Sequence, residues 1–316
     1  MYLPLFHLAL GLLLLYAGAE ALVHGSAAFA RRIGLSPLVI GLTVVAFGTS
    51  TPELAVSVKA ALSGMGDISL GNVIGSNIAN IALVIGAAAL VHPIEVHAQA
   101  VRWDIPVVIA ASLLTLTFAW SGHLSRLEGG ILLAGLIAYI VYSVVLGRRE
   151  RARQVAGEFQ AEVPQELRSI VNELLLMAGG IALLVIGADR VVVGAVAIAG
   201  LFGVSKSVIA LTIIAFGTSL PELATSVVAA YKKHSDIAIG NIIGSNIFNL
   251  LGILGIAALI TPINAKGIRH VDWIVMIALA LLMLRMARKR YTLRRWEGAD
   301  LLVIYLGYVI YLFYRG

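Results

Sequence analysis

The chain has 316 residues, 60% hydrophobic and 13% charged, with a mean hydropathy of +0.96. A soluble domain carries about 25% charged residues, so a soluble globular protein is excluded, and so is disorder, which needs low hydrophobicity and high charge. With no cysteine there can be no disulfide, iron–sulfur cluster or thiolate metal site, and the formal charge of +6 bears on membrane topology rather than on nucleic acid, which is not an expected partner.

A helix needs about 20 apolar residues to cross a bilayer core of about 30 Å. Such runs lie at 4–23, 37–62, 68–91, 104–120, 127–146, 170–189, 205–230, 237–260, 272–286 and 298–314. They predict an all-α integral membrane protein with ten transmembrane helices. The first run has no basic stretch before it and has a counterpart later in the chain, so it reads as a retained helix rather than a signal peptide. The second contains Pro52 and Glu53 and the seventh Pro221 and Glu222, so neither reads as a straight span. Asp67 and Asp236 open the third and eighth and read as N-caps. Residues 148–169, charged and containing Pro164, form a linker too short for a folded domain.

Ten spans put both termini on one side. One set of loops carries 16 Lys and Arg residues and the other 6, with Lys59 inside a span. The positive-inside rule makes the richer side cytoplasmic, linker included, and both termini extracytoplasmic, in a cell membrane.

The chain is written twice. LTVVAFGTSTPELAVSV at 42–58 recurs as LTIIAFGTSLPELATSV at 211–227, and DISLGNVIGSNIAN at 67–80 recurs as DIAIGNIIGSNIFN at 236–249. The offset is 169 throughout, and segments 41–80 and 210–249 share 25 identities in 40 positions. Residues 1–147 and 170–316 thus read as two copies of a five-span unit. An odd number of spans inverts the second copy, the inverted-repeat architecture of secondary transporters, whose site lies near the midplane between the repeats.

The repeated segments carry the chemistry. Glu53 and Glu222 lie deep in apolar spans, where a charge costs at least about 2.5–3.5 kcal/mol and is usually functional. The prolines before them remove an amide donor and clash with the carbonyl four residues back, at Gly48 and Gly217. The expected break frees carbonyls around Ala46–Thr49 and Ala215–Thr218, beside the hydroxyls of Thr49, Ser50, Thr218 and Ser219. In the third and eighth spans, Asn72, Ser76 and Asn80, and again Asn241, Ser245 and Asn249, fall four apart on one helix face. Gly71, Gly75, Gly240 and Gly244 form small faces for close helix packing. The pooled donors are all oxygens, which suits hard cations; calcium accepts six to eight of them in flexible geometry. Two carboxylates neutralise one divalent ion or accommodate two or more monovalent ones. No histidine lies within the repeated motifs, and none is assigned a metal role.

GTSTPEL and GTSLPEL, followed by GNVIGSN and GNIIGSN, resemble the paired alpha-repeats of the cation/calcium exchanger superfamily, nearest the prokaryotic sodium/calcium exchanger type. The resemblance implies a site between the second, third, seventh and eighth helices, with alternating access by movement of the first and sixth. Carried over by position, Glu53 and Glu222 become the shared calcium and sodium carboxylates. Thr49 and Thr218 contribute mainly carbonyls, and Ser50, Ser76, Ser219 and Ser245 contribute oxygens to sodium sites. The carbonyls of Ala46 and Ala215 join at the outer positions. Potassium-dependent relatives carry acid where this chain has Asn249; Asn80 and Asn249 are both amides, which argues against potassium co-transport. The expectation is a potassium-independent sodium/calcium antiporter, electrogenic if more than two sodium ions move per calcium. It is not expected to be an enzyme, to carry a cofactor or to need a protein partner; its partners are the two ions and the bilayer, and a monomer suffices. A calcium/proton antiporter on the same fold is the alternative, then a cation channel. An intramembrane protease is disfavoured, because the glutamates lack a Gly-Asp context.

Overall fold

The computed structural model describes residues 2–157, 169–202, 215–264 and 267–315. Its helices are α1 (Tyr2–Ile33), α2 (Pro37–Thr49), α3 (Thr51–Leu62), α4 (Gly66–Val91), α5 (Ala100–Ala119) and α6 (Arg126–Gly157). After the linker come α7 (Ile170–Leu201), α8 (Ala215–Thr218), α9 (Leu220–Tyr231), α10 (Ser235–Ile260), α11 (His270–Arg290) and α12 (Arg295–Arg315). Among the described residues, 8 helices are long and apolar enough to cross a membrane, and the bent pair α2 and α3 makes a ninth. The span read at 205–230 is described only from residue 215 onward, so its first half lies outside the described residues.

Local signals place the breaks. α1 stops where Gly34 takes φ +76°, a left-handed conformation that glycine adopts without strain. Ser36 then caps α2, its hydroxyl accepting from the Val39 amide at 3.3 Å, with Pro37 in the first helical turn. Asp67 and Asp236 are not the N-caps expected of them. The cap positions are Met65 and His234, without side-chain capping bonds. Both aspartates sit in the first turn, where a negative charge suits the helix dipole, and reach sideways. Asp67 accepts from the Gly267 amide at 2.7 Å, and Asp236 lies 3.3 Å from His97.

α1 and α7 are 32 residues each, about 48 Å, and pack antiparallel along their length. Glycines permit the close approach: a Cβ on Gly18 would meet the Gly180 carbonyl at 2.7 Å, and one on Gly11 the Gly187 carbonyl at 2.8 Å. The other helices surround α4 and α10, which are buried through most of their length and hold the core. α12 covers the second half of α4, and α6 covers the second half of α10. The Gly240 and Gly244 face works as its spacing predicts: Cβ atoms there would come within 2.7 and 2.4 Å of the Leu38 and Leu42 carbonyls of α2. The partners that the 169-residue offset would give Gly71 and Gly75 fall in 207–211, outside the described residues.

Two short antiparallel ribbons join the connectors. β1 (Ile94–Glu95) pairs with β4 (Thr292–Leu293), and β2 (His123–Leu124) with β3 (Ile263–Asn264). Moving either pairing along the chain by 169 residues reproduces the other. The same offset relates the contacts of Gly86 with Gly298 to those of Gly255 with Gly129.

Candidate cation site

The two proline-containing spans break as their sequences foretell, at a position set by the proline's geometry. α2 and α3 meet at 50°, with Ser50 at φ −82°, ψ 10° between them; Ser219 takes φ −87°, ψ 5° between α8 and α9. Pro52 and Pro221 fall in the first turn of the helix that follows, where a missing amide costs nothing. The expected release of carbonyls is partial. The Ala46 carbonyl accepts from the Ser50 amide at 3.0 Å and from the Thr49 hydroxyl at 3.3 Å, leaving little of its accepting capacity. Phe47 accepts from the Thr51 hydroxyl, and Phe216 from the Ser219 amide. The Gly48 and Gly217 carbonyls are those whose amide partner four residues on is a proline. Of Ala215 the backbone is described and the side chain is not.

The break puts each serine against the other half's glutamate. Ser50 Oγ donates to Glu222 Oε1 at 2.7 Å, and Ser219 Oγ donates to Glu53 Oε1 at 3.1 Å. Thr49 and Ser245 also face the Glu222 carboxylate, and Thr218 faces that of Glu53. Both glutamates are fully buried, at 1% and 0% exposure, and their second oxygens, Glu53 Oε2 and Glu222 Oε2, have no hydrogen-bond partner among the described residues. Among the described residues neither carboxylate pairs with a base. Among the described residues there is no group of three or more His, Cys, Asp and Glu able to hold a metal ion, so a cation here relies on two carboxylates and neutral oxygens.

Two asparagines that spacing alone placed on the helix face turn out to be scaffolding. Asn72 Nδ2 donates to the Glu53 carbonyl at 3.2 Å and to Ser57 Oγ at 2.9 Å. Asn241 Nδ2 donates to the Glu222 carbonyl at 3.5 Å and to Ser226 Oγ at 3.0 Å, and its Oδ1 accepts from Thr49 at 3.1 Å. Each ties the glutamate-bearing helix to the helix that follows it. Ser57 and Ser226 are the polar partners that sequence reasoning missed; the signal was their position four residues beyond each glutamate, on the same helix face.

Asn80 and Asn249 lie in π-helical stretches, Asn80–Val84 and Phe248–Ile253. Such insertions shift the register and occur often at functional sites. The Asn80 stretch packs on α9, which bears Glu222, and the Asn249 stretch on α3, which bears Glu53. Asn80 Oδ1 and both polar atoms of Asn249 are buried without a partner among the described residues, a costly condition unless a ligand completes them. Ser76 is buried at 4% exposure in the same helix as Asn80.

A family model described as sodium/calcium exchanger protein matches residues 3–145 and again 172–314. The chain belongs to the sodium/calcium exchanger family. It is 42% identical over 309 residues to a putative antiporter, CaxA, of Alkalimonas amylolytica, covering 96% of both chains. It is 33% identical to the sodium/calcium exchanger MaX1 of Methanosarcina acetivorans, covering 97% of both, and 40% identical to an inner membrane protein of Escherichia coli, YrbG, covering 87% of this chain and 86% of that one. A solved structure of the sodium-calcium exchanger NCX_Mj, soaked with 2.5 mM Na+ and 0.1 mM Ca2+, superposes with a TM-score of 0.82 at 33% identity, covering 98% of both chains. Like its relatives, this exchanger-family chain is an all-helical, multi-pass membrane protein.

Proposed function

We propose that this exchanger is a sodium/calcium antiporter that moves calcium out of the cell as sodium enters, without potassium, through one site at Glu53 and Glu222. Its ten helices form two inverted five-helix repeats, with both termini extracytoplasmic. The observation that carries the reading is the reciprocal pair of bonds, Ser50 to Glu222 and Ser219 to Glu53. It makes one site out of both halves and leaves a carboxylate oxygen of each half unpartnered. Two buried carboxylates without a counter-ion repel one another, so the site favours occupancy. One calcium ion neutralises both; sodium ions can do the same, with Thr49, Thr218, Ser76, Ser245, Asn80, Asn249 and the Ala215 carbonyl as neutral ligands, the Ala46 carbonyl being already engaged by Ser50 and Thr49. A site filled one way or the other, but poorly left empty, couples the two fluxes. If more than two sodium ions replace one calcium, the exchange carries net charge.

The test is calcium-45 uptake into sodium-loaded proteoliposomes diluted into sodium-free buffer at constant pH. Uptake driven by the outward sodium gradient is expected, with loss to background in both Glu53→Gln and Glu222→Gln and no change in elution on gel filtration. Uptake driven only by an outward proton gradient would replace sodium by protons as the counter-ion. Uptake with neither gradient, following voltage, would make the protein a channel.

A further inference from the structure

The two halves match position by position, yet the contacts they make are unequal. α1 packs along α9, where Leu220, Thr225, Val228 and Ala229 are buried. At the offset of 169, Thr51, Val56 and Lys59 of α3 are exposed while Ala60, the equivalent of Ala229, stays buried, with Val56 at 37% against 0% for Thr225. α7, the counterpart of α1, thus leaves α3 uncovered. In an inverted-repeat transporter the opposite access state exchanges the arrangements of the two halves. In that state α7 lies over α3, as α1 lies over α9 here.

The acidic and basic residues along these edges follow the same exchange. Glu20 of α1 forms an ion pair with Lys232, just past the end of α9. The positions equivalent to this pair are Asp189 on α7 and Ser63. Asp189 keeps the acid; Ser63 lacks the base. The base on that side is Lys59, one helical turn before Ser63 on the same face, where the other half has the buried Val228. Here Lys59 is exposed, and Asp189 pairs, among the described residues, with its neighbour Arg190, at 3.3 Å with 59% of its side chain exposed. Closing α7 over α3 brings Lys59 beneath α7 and Asp189 to within about one helical turn of it, a span that a lysine side chain covers. A lysine covered in this way without a partner would oppose closure.

We infer that Glu20–Lys232 and Asp189–Lys59 are alternating ion pairs, the first holding α1 on α9 and the second holding α7 on α3, so that these four side chains set the balance between the two access states. The inference rests on the proposed inverted-repeat exchanger. With the orientation proposed above, α9 ends at the cytoplasmic face and α3 at the outer face. The present structure is then the outward-facing member, latched by Glu20–Lys232.

The experiment uses the natural absence of cysteine. Glu20→Cys/Lys232→Cys and Lys59→Cys/Asp189→Cys are made in the full chain, reconstituted, and treated with a short bismaleimide. Cross-linked peptides are read by mass spectrometry. Both pairs are expected to cross-link in separate molecules, and either bridge is expected to stop exchange, whereas each single cysteine does not. In parallel, Lys232→Ser is expected to weaken apparent calcium affinity at the outer face and strengthen it at the inner face by about two- to fivefold, the range for a half-exposed ion pair. Lys59→Val is expected to shift both in the opposite sense. A purely structural loss would move the two faces together. Failure of the Lys59/Asp189 pair to cross-link in protein that still exchanges overturns the inference, as does a Lys232→Ser change equal on both faces. Loss of sodium coupling with both cross-links intact would instead refute the choice of ion and leave the latches standing.

Discussion

Ser50→Ala removes a single oxygen from the centre of the molecule. Its hydroxyl is fully buried and donates to Glu222 Oε1 at 2.7 Å, the shorter of the two serine–glutamate bonds between the halves. A hydrogen bond to a charged group contributes about 1.5–3 kcal/mol. At 1.36 kcal/mol per tenfold, that is a loss of about 13- to 160-fold in the affinity of a site depending on Glu222. Alanine fits the space without strain, because Ser50 sits at a helix junction with negative φ. The assay is calcium-45 binding to purified protein by equilibrium dialysis, and uptake as a function of outside calcium. Ser112→Ala is the control: that hydroxyl is equally buried but bonds only the Val108 carbonyl of its own helix. An affinity for Ser50→Ala within twofold of wild type, matching Ser112→Ala, would show that the crossing bond is not part of the ion site.

Asn241→Ala should weaken calcium affinity more than Asn72→Ala, by about fivefold for one additional hydrogen bond, because Asn241 also accepts from Thr49 and is completely buried; equal losses in dialysis would contradict the asymmetry. Gly244→Ala places a Cβ 2.4 Å from the Leu42 carbonyl, so α10 must move off α2; a fall in melting temperature in detergent and little uptake are expected, at a cost of about 1–3 kcal/mol. Asn249→Asp adds a third carboxyl among the site helices and should make calcium uptake respond to potassium in the bath; an unchanged ion profile would remove Asn249 as a determinant of selectivity.

Much of this was legible because the sequence repeats. Duplication turned Glu53 and Pro52 from oddities into a pattern, and Pro52 with Gly48 located the break to within two residues. The bend falls at Ser50 because proline is tolerated in the first turn of a helix, here Thr51 onward, so Ser50 at the cap is the last residue that can leave the old axis. What spacing could not give was the third dimension. Nothing in the order of residues says that Ser50 reaches Glu222 rather than Glu53, three residues away on the same strand of sequence. The π-helical stretches at Asn80 and Phe248 were equally hidden, since their residues have the composition of the α-helices around them. The long reach of α1 and α7 is missed by a count that stops at the bilayer's about 20 residues, because 21–33 and 190–201 continue each helix beyond that length.

The short ribbons at the connectors have a consequence of their own. β1 pairs with β4, and β4 is the repeat equivalent of β2; β3, the equivalent of β1, pairs with β2. In other words, one ribbon is made twice, each time with a first connector from one half and a second connector from the other. A single half meeting its own copy would form the same two ribbons, as any two-fold dimer makes each of its contacts twice. The segment between α6 and α7 therefore joins surfaces that are already self-complementary. Halves cut in that segment and produced as separate chains have, in these strands, the means to find one another.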